Sequence, residues 1–269
     1  MLSEPNSHFI SFKNAALHFT CQGKGRSVVL LHGFLENGTF FNTLAEVLST
    51  RYQVICIDLL GHGKTENLGY IHTMELQANI VKAVLNHLKL RKVSLIGHSM
   101  GGYICLAFAK LYPTNVVGIC LLNSTPLPDS ATKKTDRTRA IEIVKENAPL
   151  FIKTAIPNLF ASENHIRFKA AIQNILAQAL KTSKQGIIAA LEGMKRREDL
   201  TYLLTENHFK TLVFIGEKDK AIDTKSLYKC LKKQENSQII ELDGGHMGFI
   251  ENKTEVEQGL LSFLKICFK

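Results

Sequence analysis

The chain has 269 residues, 45% of them hydrophobic and 21% charged, with a formal net charge of +9. That length suits one α/β core carrying an insertion and is enough to enclose a pocket, and the absence of low-complexity tracts excludes a disordered chain. No apolar run approaches the roughly 20 residues that cross a bilayer, and no basic segment followed by an apolar one opens the sequence, so the expected location is cytoplasmic, away from membranes.

Along the chain, short β-branched apolar runs stand at 28–31, 54–57, 93–96, 117–122, 212–215 and 238–240. They are continuous rather than alternating, as strands require when helices cover both faces of a parallel sheet. Leu76, Ile80, Val84 and Leu88 recur every four residues and form one helical stripe, with Thr73 as its expected cap. A second helix is expected from Gly101 to about Leu111, its small residues allowing close approach to the sheet and Pro113 stopping it. Strand and helix alternate from residue 28 to about 122, the pattern of a doubly wound, mostly parallel sheet.

Between about Thr125 and Phe209 the alternation stops. Helical patterns at about 132–147, 150–160, 163–182 and 184–196 follow one another there, and strand and helix resume at Leu212. The domain reading is a core of residues 1–124 and 210–269 with a helical lid at 125–209, placed over the strand ends where such sheets bind ligands. Apolar lid residues such as Ile152, Leu159, Phe160 and Phe168 are expected to pack on the core or line the pocket. Residues 131–200 hold 13 Lys/Arg against 7 Asp/Glu. That bias suits a solvated face, or a surface that steers an anionic or carrier-bound substrate; no aromatic-interleaved basic stripe points to nucleic acid.

Six cysteines are scattered without C-x-x-C spacing and read as free thiols of a reducing compartment. Neither they nor the histidines have metal-ligand spacing, so no metal or organic cofactor is expected.

Gly97-His98-Ser99-Met100-Gly101 follows an expected strand and precedes an expected helix. In that setting G-x-S-x-G places a serine on a strained tight turn, its hydroxyl exposed at a helix N-terminus, where free N–H groups meet developing negative charge. Ser99 is the candidate nucleophile. A serine needs a base, and a base needs an orienting group. His246, in the Gly-rich loop after the last strand run, is the candidate base, and Asp219, after the run at 212–215, the candidate acid. Asp223 reads as a helix cap, Glu217 as one position early, and Asp243 as too close to His246. The backbone N–H groups of Phe34 and Met100 are the candidate oxyanion donors. His32 and His62 read as structural, His98 as too close to the serine backbone, and His8, His18, His72, His87, His165 and His208 as surface or packing residues.

Leu31-His32-Gly33-Phe34, Asp58-Leu59-Leu60-Gly61-His62-Gly63-Lys64-Thr65, Gly97-His98-Ser99-Met100-Gly101-Gly102, Gly216-Glu217-Lys218-Asp219 and Gly244-Gly245-His246-Met247-Gly248 together resemble the α/β-hydrolase superfamily over essentially the whole chain outside the lid. The resemblance implies an α/β-hydrolase fold, a serine esterase working through Ser99, His246 and Asp219 on a small acyl substrate, and a structural role for Asp58. Dehalogenases and epoxide hydrolases of this fold carry aspartate at the elbow, and the absence of Trp removes the dehalogenase halide clamp. Hydrolases of carbon–carbon bonds share the triad, and some receptors of this fold only bind small molecules, so these two remain the alternatives. A methyl ester on an acidic acyl carrier protein is one substrate that the basic segment would suit.

Overall fold

The computed structural model describes residues 5–205, 209–232 and 237–269. Among these residues eight strands form: β1 (Asn6–Phe12), β2 (Ala15–Gln22), β3 (Ser27–Leu31), β4 (Gln53–Ile57), β5 (Val93–His98), β6 (Val116–Leu122), β7 (Lys210–Gly216) and β8 (Ser237–Leu242). They pair in the order β1-β2-β4-β3-β5-β6-β7-β8. The pairing is parallel from β4 to β8, and antiparallel at β1/β2 and β2/β4. Every residue of β3 and β5 is buried, which is why Val28–Leu31 reads as an unbroken apolar run and Val93–Ile96 as one interrupted only by Ser94.

The β1–β2 hairpin is a correction to the sequence reading, which began the sheet at residue 28. β1 alternates exposed and half-buried residues along an edge strand, so it lacks the continuous signal of the interior strands. Lys13 and Asn14, both at positive φ, make the tight turn.

The helices are α1 (Asn42–Ser49), α2 (Met74–His87), α3 (Met100–Leu111), α4 (Ala131–Ala155), α5 (Lys169–Ala179), α6 (Lys184–Lys195), α7 (Thr224–Leu231), α8 (Gly248–Glu251) and α9 (Lys253–Cys267). Thr73 caps α2 as expected, its side chain accepting from the Leu76 N–H. Between β6 and β7 the described residues carry α4, α5, α6 and short 3₁₀ turns, and no strand. The expected helices at 132–147 and 150–160 become α4, kinked at Asn147 (φ −148°, ψ 80°) just before Pro149 and ending at Ala155. Ile152 and Phe160 are buried, whereas Leu159 and Phe168 are half-buried.

α6 sits on the core almost backbone to backbone. A Cβ on Gly186 would lie 2.4 Å from the Gly61 carbonyl oxygen, and one on Gly193 would lie 1.7 Å from that of His72. The His72 N–H donates to the Ala189 carbonyl at 2.9 Å and fastens the two segments together. Cys21, Cys56, Cys105, Cys120 and Cys267 are free thiols. No helix among the described residues is long and apolar enough to cross a membrane.

Candidate active site

Because β5, β6, β7 and β8 run parallel, the segments after their carboxyl ends share one edge of the sheet, and the sequence-predicted site residues meet there. Ser99 joins β5 to α3 at φ 49°, ψ −115°, a backbone conformation that L residues rarely occupy and that costs about 1–3 kcal/mol. The turn is held by the Ser99 N–H donating to the Leu122 carbonyl (3.0 Å), and by Gly102 N–H (3.0 Å) and the Ser124 hydroxyl (2.7 Å) donating to the Ser99 carbonyl. Two glycines make it possible. A Cβ on Gly97 would stand 2.3 Å from the Gly101 carbonyl carbon, and one on Gly101 would stand 2.0 Å from the Leu31 carbonyl oxygen.

Ser99 Oγ lies 2.8 Å from His246 Nε2, and His246 Nδ1 lies 2.8 Å from Asp219 Oδ2. Asp219 is buried with both oxygens occupied: Oδ1 accepts from the Ala221 (2.8 Å) and Ile222 (3.2 Å) N–H groups, and Oδ2 also accepts from the Asn123 amide (3.2 Å). Burial by itself would raise the Asp219 pKa. The His246 imidazole and these donors outweigh it and hold the carboxyl below its ordinary value, so Asp219 is ionised and keeps the proton of His246 on Nδ1. Nε2 then faces Ser99 as an acceptor. Asp223, by contrast, caps α7, its side chain accepting from the Ser226 N–H, and the exposed Asp243 pairs with Lys218.

Neither the Phe34 N–H, in the loop after β3, nor the Met100 N–H, first in α3, has a hydrogen-bond partner among the described residues. Phe34 joins Ser99, His246, Tyr103, Leu159, Met194 and Ile222 in lining a cavity of about 120 Å³ above the serine. Lys133 and Arg137 of α4 line the same cavity. An adjoining recess of about 520 Å³ shares Tyr103 and Lys133 with it and adds Arg197 and Lys220. Asp129 pairs with both Arg137 and Arg197. Lys133 donates to the Ala221 carbonyl at 3.2 Å, and burial, then the charge of Arg137, lowers its pKa.

Three supporting residues escaped the sequence reading. Asn123, at φ 48° after β6, donates both to Asp219 and, at 3.0 Å, to the Gly245 carbonyl, joining the acid to the histidine loop. An asparagine directly after a buried strand was the available signal, since Asn tolerates positive φ. Glu251 accepts from the N–H groups of Gly245 (2.9 Å) and Ala161 (3.0 Å), fixing that loop against the segment after α4. Glu36 accepts from the Gly33 N–H (2.7 Å) and pairs with His98 at 2.9 Å. Burial opposes charge on both members of that pair, but their mutual attraction prevails: His98 is shifted up and Glu36 down.

The remaining histidines divide. His32 donates from Nδ1 to the Gly33 carbonyl (2.7 Å) and accepts the Leu59 N–H at Nε2 (3.0 Å), so it is a structural residue as expected. His62 and His72 are buried too. His18, read as a surface or packing residue, is instead hydrogen-bonded at both ring nitrogens. His208 lies outside the described residues.

A family model described as the alpha/beta hydrolase fold matches residues 26–148. A 2-hydroxy-6-oxononadienedioate/2-hydroxy-6-oxononatrienedioate hydrolase of Escherichia coli strain K12 is 27% identical over 271 residues, covering 94% of this chain and 92% of that protein. Among solved structures, a malate-bound thermophilic esterase from Thermogutta terrifontis aligns with a TM-score of 0.89 at 28% identity, covering 99% of this chain and all of that one. The enol-lactonase from Burkholderia xenovorans LB400 shares the fold at a TM-score of 0.89 and 20% identity, over 96% of this chain and 100% of that one. Sheet, elbow and matches define one class of protein, the hydrolases built on a doubly wound sheet with a nucleophile elbow. The chain has the α/β-hydrolase fold.

Proposed function

We propose that this chain is a serine hydrolase that cleaves a carboxylic ester, or a related acyl bond such as a thioester, of a small anionic substrate through an acyl-enzyme. The observation that carries the proposal is the unbroken hydrogen-bonded line from Ser99 Oγ through His246 to the ionised Asp219. Ser99 attacks the carbonyl carbon while His246 Nε2 takes its proton, and Asp219 stabilises the imidazolium. The Phe34 and Met100 amides hold the oxyanion, each such donor being worth about 3–4 kcal/mol of barrier. His246 returns the proton to the leaving alkoxide, and water then repeats the sequence to release the acid.

Lys133 and Arg137 beside the serine support an anionic substrate, free or carrier-bound. So does the company the chain keeps: the Escherichia coli relative is named for a dioate, and the Thermogutta esterase holds malate. In this reading the helices between β6 and β7 act as a lid that sets substrate choice without supplying the triad.

A second reading is favoured by that relative's name. A 2-hydroxy-6-oxo-dienedioate contains no ester, and water cleaves such a molecule at a carbon–carbon bond beside its ketone. The deciding experiment is a panel of anionic and neutral short p-nitrophenyl esters and thioesters run beside a 2-hydroxy-6-oxo-dienedioate. A burst of p-nitrophenol with an acyl group on Ser99 supports the ester reading. Turnover of the dienedioate alone transfers the site to carbon–carbon cleavage, and turnover of neither makes the fold a binding protein.

A further inference from the structure

The opposite side of the Asp58 loop repeats the connectivity of the Ser99 site. Ser7 Oγ of β1 lies 2.8 Å from His18 Nε2, and His18 Nδ1 lies 2.7 Å from Asp58 Oδ2. The sheet register explains the first contact. Ser7 pairs directly with Thr20, so Ser7 and His18 stand diagonally on one face of the hairpin. The second contact arises because Asp58 follows β4, the strand that pairs with β2, and because the Asp58 N–H donates to the His18 carbonyl at 3.0 Å.

Asp58 is as fully engaged as Asp219. Oδ1 accepts from the Gly38 N–H (2.7 Å), and Oδ2 accepts from both His18 and the Lys64 N–H (2.8 Å). Gly63, at φ +57°, leaves room for it, since a Cβ there would stand 2.2 Å from Oδ2. An ionised Asp58 keeps the His18 proton on Nδ1, which leaves Nε2 as the acceptor for the Ser7 hydroxyl. His18 and Asp58 side chains are each only 6% exposed, while Ser7 is open to solvent.

The three residues line a cavity of about 370 Å³, closed on its far side by Gln178, Lys181 and Thr182 at the end of α5. It shares no lining residue with the cavity at Ser99. Lys64 and Lys181 also line it, and neither ammonium has a carboxylate partner among the described residues.

We propose that Ser7 is a second nucleophile, with His18 as its base and Asp58 as the residue that positions the base, and that it accepts an acyl group from a small activated ester carrying a negative charge. In the step, the Ser7 Oγ–acyl bond forms, the bond from the acyl carbon to the leaving oxygen breaks, and the hydroxyl proton passes through His18 Nε2 to the leaving oxygen. Ser7 sits in an extended strand without a strained turn or a helix N-terminus behind it, so this site works more slowly than an elbow serine and retains its acyl group longer. The assignment does not depend on the role of Ser99.

The test uses Ser99→Ala protein, the anionic mono-4-nitrophenyl succinate and the neutral 4-nitrophenyl acetate, with peptide mapping by mass spectrometry. The expected result is one succinyl group on Ser7, absent in Ser7→Ala/Ser99→Ala, formed faster than the acetyl adduct and faster than any adduct on Ser11, an exposed serine of the same strand that serves as internal standard. His18→Gln/Ser99→Ala should slow Ser7 acylation by about 10²-fold. Fluorophosphonate labelling of Ser99 in the single His18→Gln variant reports whether the fold persists. Should that variant misfold, the Ser7 to Ser11 ratio still decides the question. Acylation of Ser7 no faster than Ser11, or at an unchanged rate in folded His18→Gln/Ser99→Ala, overturns the assignment. Equal succinyl and acetyl rates overturn its anionic donor.

Discussion

His98 Nε2 donates to the backbone carbonyl of His246 at 2.9 Å, so the residue before the serine is fastened to the residue whose imidazole faces the serine hydroxyl. The other ring nitrogen faces Glu36, 62 positions away in the chain, whose carboxylate also holds the Gly33 N–H next to Phe34. One buried pair thus ties together the turn of Ser99, the loop of His246 and the loop of Phe34. Glu36→Gln should destabilise the protein by about 3–5 kcal/mol, because it leaves an imidazolium buried without its counter-charge. It should also slow fluorophosphonate labelling of Ser99. Urea unfolding and labelling kinetics measure the two effects, and unchanged stability would show that the pair does not fasten these loops.

Ser99→Ala should abolish ester turnover, by about 10⁴–10⁶ in kcat, while leaving the unfolding midpoint close to that of the parent. A fluorophosphonate should react with the parent at Ser99 far faster than with Ser7 or any other serine. A faster label elsewhere would move the principal nucleophile.

Asp219→Asn should reduce kcat by about 10³–10⁴, since the imidazole loses the acceptor that fixes its tautomer. Asp223→Asn, four residues on, should act on stability alone and by less than about 1 kcal/mol, because asparagine also caps helices. Comparable losses of turnover in the two variants would displace Asp219 from its role.

Stability should fall as pH drops from about 6.5 to 4. Burial, and then the neighbouring His32, lower the His62 pKa to about 3, and burial lowers His72 to about 4. Both are neutral in the folded protein at pH values where the unfolded chain, with histidines near 6.5, binds the proton. The unfolded state therefore takes up more protons across this window, and each histidine contributes a slope of up to about 1.4 kcal/mol per pH unit. His98 has the opposite sign: raised by Glu36, it stabilises fully below 6.5 and loses that contribution as pH rises through its folded value. Urea unfolding at a series of pH values would reveal the descent, and His62→Gln should make it shallower; an unchanged slope would contradict a neutral buried His62.

Lys133→Met should lower kcat/KM for an anionic ester and leave a neutral one of the same length close to the parent value. The loss should shrink with added salt, as screening lengths fall below about 10 Å above 0.1 M. Lys134→Met, next along α4 but exposed and outside the cavity lining, is the control. Equal losses on both esters would assign Lys133 a packing role.

What the sequence revealed followed from the kind of signal each element carries. The interior strands were visible because burial on both faces demands continuous apolar residues. The β1–β2 hairpin escaped because β1, at the sheet edge, alternates, and because His8, Ser11, His18 and Thr20 interrupt the apolar residues of the two strands. Ser99, Asp219 and His246 could be found because each follows a recognisable strand. Glu36 could not, since its partner His98 lies 62 residues away and a carboxylate in a loop has no local signature, while Asn123 offered only its place directly after a buried strand, its partner Asp219 lying 96 residues on. The basic bias of 131–200 was plain from composition, but only the fold separates Lys133 and Arg137, which line the cavity, from Lys134.

The glycine contacts under α6 decide where the cleft can widen. Gly186 and Gly193 place that helix against Gly61 and His72 with no side chain between them, so no rotamer change can loosen the contact, and separating it breaks the bond from His72 to Ala189. α6 is the fixed jaw. Its counterpart is the stretch from the Asn147 kink to Phe168, where Pro149 has already removed a backbone donor and Leu159 reaches into the cavity. That stretch is itself tied to the core, because Glu251 accepts from both the Ala161 and the Gly245 N–H groups. The Leu159 carbonyl also receives the His246 N–H at 2.7 Å, so the segment that walls the cavity and the loop that carries the His246 imidazole share one backbone bond, and the position of one fixes that of the other.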